Sequence, residues 1–147
     1  MSKIFNISIG CDLAGVDLKN QLIEYFEKEN NITDFGVNSK DSVDYPDIAN
    51  KLCNDFSDKY NNPNNYGILI CGSGMGMSIA ANRFKHIRAA LCHDETITKL
   101  AREHNNANIL VLGARFIDVD NAINLTNIFL QTDFIGKRHA KRVDKLS

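Results

Sequence analysis

Apolar residues recur along this chain in two alternating rhythms. Residues 4–11, IFNISIGC, alternate imperfectly and end in a glycine and a cysteine, as a buried strand does where it enters a turn. From Val16 the spacing changes. Leu18, Leu22, Tyr25 and Phe26 recur every three or four residues, which predicts an amphipathic helix. A short strand near 32–35 then leads through the loop GVNSKDSVDYP to a helix after Pro46 that carries Ile48, Leu52 and Phe56 on one face. NNPNN at 61–65 is a turn, and 66–71 is a third strand, followed by the glycine-rich GSGMG and a helix over MSIAANRF. Residues 87–92 form a fourth strand, 95–104 a helix, 108–113 a fifth strand, and 118–131 the last long helix, with Ala122, Leu125 and Phe129 in phase.

Five such alternations predict a doubly wound α/β domain, a five-stranded parallel sheet with helices on both faces. The 147 residues suit one domain, spanning 1–147, with 137–147 as a C-terminal arm. Ligands of such sheets bind beyond the carboxyl ends of the strands, where strand order reverses. Cys11 and Asp12, residues 71–74, Cys92 and His93, and residues 113–115 all fall at predicted strand ends.

Composition narrows the class. With 44% hydrophobic and 24% charged residues, the chain has ordinary globular balance rather than that of a disordered polymer. The first apolar run is broken by Asn6 and Ser8 and reads as a strand, not a signal peptide. No apolar stretch approaches the ~20 residues of a membrane-spanning helix, so a cytoplasmic protein with no membrane partner is expected. Four cysteines, at 11, 53, 71 and 92, include no CxxC pair and are expected to be reduced. A net charge of -1 gives no general attraction to nucleic acid. The basic excess is local: residues 137–147 hold five Lys or Arg against one Asp.

The chemistry-bearing residues each admit a bland reading. In GSGMG, glycines at 72, 74 and 76 let backbone amides, with those of Ser73 and Met75, approach an anion at the start of a helix; the alternative is a tight turn. The pattern is neither the dinucleotide nor the Walker fingerprint. Cys71 precedes the loop, where a helix amino terminus favours thiolate and fits the residue to act as a base; the alternative is packing, the role expected of Cys11 and Cys92. His104 and Asn105 close a helix, where the imidazole serves either the last carbonyls or catalysis. His93, Asp94 and Glu95 have no second cluster at metal-ligand spacing, so no metal is expected. Arg138 and Arg142, four apart with His139 beside them, can reach one phosphate or form a solvated tail.

Taken together, GCDLAGVDLK, DYPD, ILICGSGMGMSIAANR, AREHNNANILVLGAR and KRHAKRVDKL resemble the ribose-5-phosphate isomerase B family, over a stretch from Ile9 to the C-terminus. The resemblance implies a Rossmann-like subunit that pairs as a homodimer, doubled to a tetramer in some members, with the arm of one subunit completing its neighbour's site. It implies that Cys71 is the base, that the amides of 72–76 with Ser73 surround an enediolate, and that His104 opens the sugar ring. Asp12, Tyr45 and Asn105 would contact the sugar. Arg115, Arg138 and Arg142 would hold its phosphate, with His139 among the substrate contacts. No metal or organic cofactor is implied. A branch of the family uses a glutamate instead of the cysteine; here that position is Met77. Where the family commonly reads GCDHAG, this chain has Leu13 in place of histidine.

The activity so implied interconverts ribose 5-phosphate and ribulose 5-phosphate, a reaction of the pentose phosphate pathway. Isomerisation of allose 6-phosphate or galactose 6-phosphate is the alternative within the class. A non-catalytic module that binds a nucleotide or a protein partner through GSGMG is the alternative outside it.

Overall fold

The period-two alternation decides which face of the sheet each strand residue serves. The computed structural model describes residues 3–39, 42–57 and 62–146; residues 40–41 of the expected loop, Asn61 of the expected turn and residue 147 of the arm lie outside them. Strands β1 (Asn6–Cys11), β2 (Asn31–Asp34), β3 (Asn65–Cys71), β4 (Ala89–Leu91) and β5 (Ile109–Gly113) form one parallel sheet in the order β2-β1-β3-β5-β4. Helices α1 (Val16–Phe26), α4 (Glu95–Glu103) and α5 (Val119–Gln131) cover one face. Helices α2 (Tyr45–Ser57) and α3 (Met75–Ala81) cover the other. A short helix, α6 (Arg138–Asp144), follows.

Ile68, Ile70, Leu110 and Leu112 pack with Leu22 and Phe129 on the first face, while Leu69, Cys71, Ile109 and Val111 pack with Phe56 and Met77 on the second. The two central strands therefore read as unbroken apolar runs. Each large aliphatic so buried stabilises the fold by about 1.5–3 kcal/mol. The same alternation turns Cys71 toward α2 and α3, and a one-residue slip of β3 would carry its thiol to the opposite face.

Element ends differ from the sequence expectation where a side chain intervenes. Helix α3 stops at Ala81 rather than continuing to 84, because the Asn82 side chain donates to Ala89 O (2.9 Å) and accepts from Ala89 N (2.8 Å). This exchange imitates a strand neighbour and ties the helix end to edge strand β4. Strand β4 itself is shorter than 87–92. Asp94 and Asp118 cap α4 and α5, each accepting a backbone N–H at 2.8 Å.

A buried charge holds the exit of β1. Lys19 is fully buried on α1, and its ammonium donates to Asp34 Oδ2 (2.7 Å) and Asn38 Oδ1 (2.8 Å). The turn it secures accepts the Cys11 N–H at Gly36 O (2.7 Å) and donates Val37 N–H to Cys11 O (3.0 Å). Strand order reverses between β1 and β3, with β2 to one side of β1 and β3 to the other, so the crevice of this sheet opens where Asp12 and Cys71 emerge.

Candidate active site

At the carboxyl end of the sheet the chain sets a cysteine thiol beside a loop of backbone amides. Cys71 closes β3 with 5% of its surface exposed, and its carbonyl accepts Ala114 N–H (2.9 Å) from the exit of β5. Gly72 O likewise accepts Arg115 N–H (3.0 Å), which brings Arg115 back across the loop. A Cβ at Gly72 would lie 3.2 Å from the Arg115 guanidinium carbon, so the cation rests on bare backbone. A Cβ at Gly76 would strike the ring of Tyr45, the first residue of α2, at 2.5 Å. Glycine at these two positions is what admits both side chains.

Within the loop, Gly74 sits at φ 83° as the N-cap of α3, while Ser73 Oγ accepts Met75 N–H at 3.2 Å. Among the described residues the amides of Gly72, Ser73, Gly74, Gly76 and Met77 find no protein acceptor. Convergent, unengaged N–H groups of this kind stabilise a developing oxyanion, and the Ser73 hydroxyl hydrogen remains able to join them. Across the crevice Asp12 accepts Ala14 N–H at Oδ1 (3.0 Å), which orients the carboxylate and leaves Oδ2 without a protein partner among the described residues. Leu13, beside it, is 42% exposed.

Cysteine chemistry separates by position. Burial pushes the Cys11 thiol up to about 11 and that of Cys53 up to about 12, and burial raises Cys92 as well. These three are held as neutral packing groups. His93 is exposed, Asp94 caps α4, and Glu95 accepts from Asn124. No grouping of three potential metal ligands occurs among the described residues.

The remaining candidates stand at the other end of the sheet. Helix α4 returns from the carboxyl end, and roughly 14 Å of helix separates its start from His104, which caps it. His104 is half-buried, Asn105 exposed. Arg102, almost fully buried, donates to Tyr66 Oη (3.1 Å), Thr132 O (3.1 Å), Ala107 O (2.6 Å) and Asn106 Oδ1 (3.0 Å), fixing the loop that carries His104 and Asn105. Helix α6 docks against this loop: Ile135 N–H donates to Glu103 O (3.1 Å), and the ring of His139 stacks on that of His104 at 4.1 Å between centroids. Arg138 and Arg142 lie exposed on α6, where His139 and Val143 are buried.

A single chain therefore brings Asp12, Tyr45, Cys71, Ser73, the glycine amides and Arg115 together, and separately His104, Asn105, Arg138, His139 and Arg142. It does not unite the two sets. The sequence reading gave the arm to a neighbour's site but left His104 and Asn105 undivided from Cys71, although a helix antiparallel to its strands always ends at their amino edge. Lys19 and Arg102 were missed as supports. Both fall in the apolar phase of their helices, Lys19 with Leu22 and Phe26, which marks them as buried cations.

This α/β architecture, with a cysteine at a strand end beside an amide cradle, is that of an enzyme family. The family described as Ribose/Galactose Isomerase matches residues 7–146, and the chain belongs to it. A protein of Listeria innocua named ribose-5-P isomerase B is 42% identical over 94% of this chain and 92% of its own. The structure of ribose 5-phosphate isomerase B from Anaplasma phagocytophilum superposes with a TM-score of 0.91 at 44% identity, covering 98% of this chain and 97% of that one. That of ribose-5-phosphate isomerase B from Mycoplasma genitalium, with bound ribulose-5-phosphate, gives 0.92 at 40% identity, covering 97% and 93%.

Proposed function

We propose that this chain is an aldose–ketose isomerase that interconverts ribose 5-phosphate and ribulose 5-phosphate. The observation that carries the reading is Cys71 at the end of β3, beside five amides that find no protein acceptor among the described residues. The bound ribulose-5-phosphate of the Mycoplasma genitalium relative supports the choice of sugar.

In the open-chain aldose the Cys71 thiolate takes the proton from C2. The C–H electron pair becomes the C1–C2 double bond, and the aldehyde oxygen becomes an enediolate oxygen facing the amides of 72–76 and Ser73. The thiol returns its proton to C1, while the O2 hydroxyl proton passes to O1, leaving the ketone at C2. Asp12 and Tyr45 hold sugar hydroxyls, and Arg115 receives the phosphate. None of these steps calls on a metal or organic cofactor.

Ring opening and the rest of the phosphate charge fall to His104, Asn105, Arg138 and Arg142, which the same chain keeps too far away to share its own Cys71. A homodimer that apposes the carboxyl end of one sheet to the amino end of the other completes both sites, so the arm serves the partner's substrate while α6 stays docked on its own subunit. Among the described residues no helix is long and apolar enough to cross a membrane. Four free, buried cysteines support a reducing, cytoplasmic setting.

Coupled assays with ribose 5-phosphate beside allose 6-phosphate test the reading. Preferred turnover of the pentose is expected, with Cys71→Ala losing about a hundredfold to ten-thousandfold in kcat while staying folded by circular dichroism. A folded Cys71→Ala protein of near-normal activity would overturn it.

A further inference from the structure

His139 occupies a place that a substrate ligand would not choose. Only 8% of it is exposed, whereas Arg138 and Arg142 beside it face outward. Its ring lies nearly parallel to that of His104, 12° between planes and 4.1 Å between centroids. Among the described residues neither imidazole makes a side-chain hydrogen bond, although the loop around His104 is densely bonded through Arg102. The His104 backbone is held by its N–H to Leu100 O (2.9 Å), but its χ angles answer to packing alone. The stacked ring restricts them, and it does so without engaging either His104 nitrogen in a hydrogen bond.

We infer that His139 is a positioning residue for ring opening, setting the plane of His104 by stacking rather than touching the substrate. This rests on the proposed role of His104 in opening the sugar ring. A flat neighbour suits the task only if it stays uncharged, since two imidazolium rings at this spacing repel. The surroundings keep it so. Burial, then His104, then Arg138 and Arg142 of its own helix all hold the His139 pKa below the usual histidine value. A general acid–base group displaced by about 1 Å loses up to a hundredfold in rate, so the stack matters kinetically even without a bond to substrate.

Ribulose 5-phosphate supplies the discriminating probe, because its C5 oxygen is esterified and it cannot close into a furanose. Solvent deuterium entering its C1 reports the Cys71 step without ring opening. In His139→Ala, ribose 5-phosphate turnover should fall about tenfold or more with its KM within twofold, while deuterium exchange into ribulose 5-phosphate persists. His139→Phe should restore most of the turnover, and the His104 ring-proton shift, set by its stacked neighbour, should survive in Phe and collapse in Ala. His104→Ala, run alongside, must show the same separation of the two rates. If His104→Ala separates them and His139→Ala does not, the positioning role is wrong while ring opening by His104 stands. If His104→Ala lowers both rates together, ring opening by His104 is wrong and the inference falls with it. A raised KM and lost exchange in His139→Ala would mean that the residue only anchors α6.

Discussion

The two ends of the sheet solve different mechanical problems. At the carboxyl end, Cys71 and its amides are fixed by strand pairing, by the exit of β5 bonded to Cys71 and Gly72, and by a wholly apolar layer beneath. At the amino end the loop is pinned by the Arg102 side chain, and the His104 ring and the arginines of α6 depend on a helix cap, one backbone bond from Ile135 and a ring stack. The proposed proton transfer between adjacent carbons tolerates little error, and its candidate base stands where the backbone itself is the scaffold. The phosphate capture proposed for the long cations of an exposed helix tolerates more. It sits where a helix is held by side-chain contacts.

The sharpest way to break this comparison is to separate the two ends onto different chains. Cys71→Ala and an Arg138→Ala, Arg142→Ala double variant should each be nearly inactive alone. With random subunit exchange and equal mixing, half the dimers are mixed and each holds one intact site, so activity should recover to about a quarter of wild type. No recovery despite exchange shown by mass spectrometry would mean that each chain supplies its own arm.

A smaller effect should come from acid. Because the folded His139 pKa is depressed, protons bind more readily when α6 is undocked, so the docking contribution is complete above the ordinary histidine value of about 6.5 and declines as pH falls through it. Hydrogen exchange of the α6 amides should therefore speed up relative to the β3 amides as pH falls from 7 toward 5, after correction for intrinsic rates, and His139→Phe should flatten that trend. Equal pH dependence in both variants would remove His139 as its source.

The smallest expected change lies at the rigid end. Leu13 stands exposed next to Asp12 and offers no hydrogen bond to a phosphate. A bond to a charged group contributes ~1.5–3 kcal/mol, and in the proposed site Arg115 and the two arm arginines would compensate for its loss in part. Leu13→His should lower KM for ribose 5-phosphate several-fold with kcat nearly constant. An unchanged KM would place Leu13 away from the phosphate.

Much of the rigid end was legible in the sequence. Period-two and period-3.6 patterns are local, and so are glycine spacing and a cysteine at the close of an apolar run; together they specified five strands, their order along the chain, and Cys71 beside GSGMG. Even the carboxyl-end location of Asp12 and Arg115 followed from parallel βα alternation. What local pattern cannot encode is which strands become neighbours. The insertion of β5 between β3 and β4 depends on non-local packing, as do the stop of α3 at Asn82 and the burial of Lys19 against Asp34. The stacking of His139 on His104 is of the same kind, joining residues 35 positions apart through contacts that no periodicity records. Tertiary structure alone decided that the catalytic candidates divide between opposite edges of one sheet, because only the folded direction of α4 and the docking of α6 determine where their side chains come to rest.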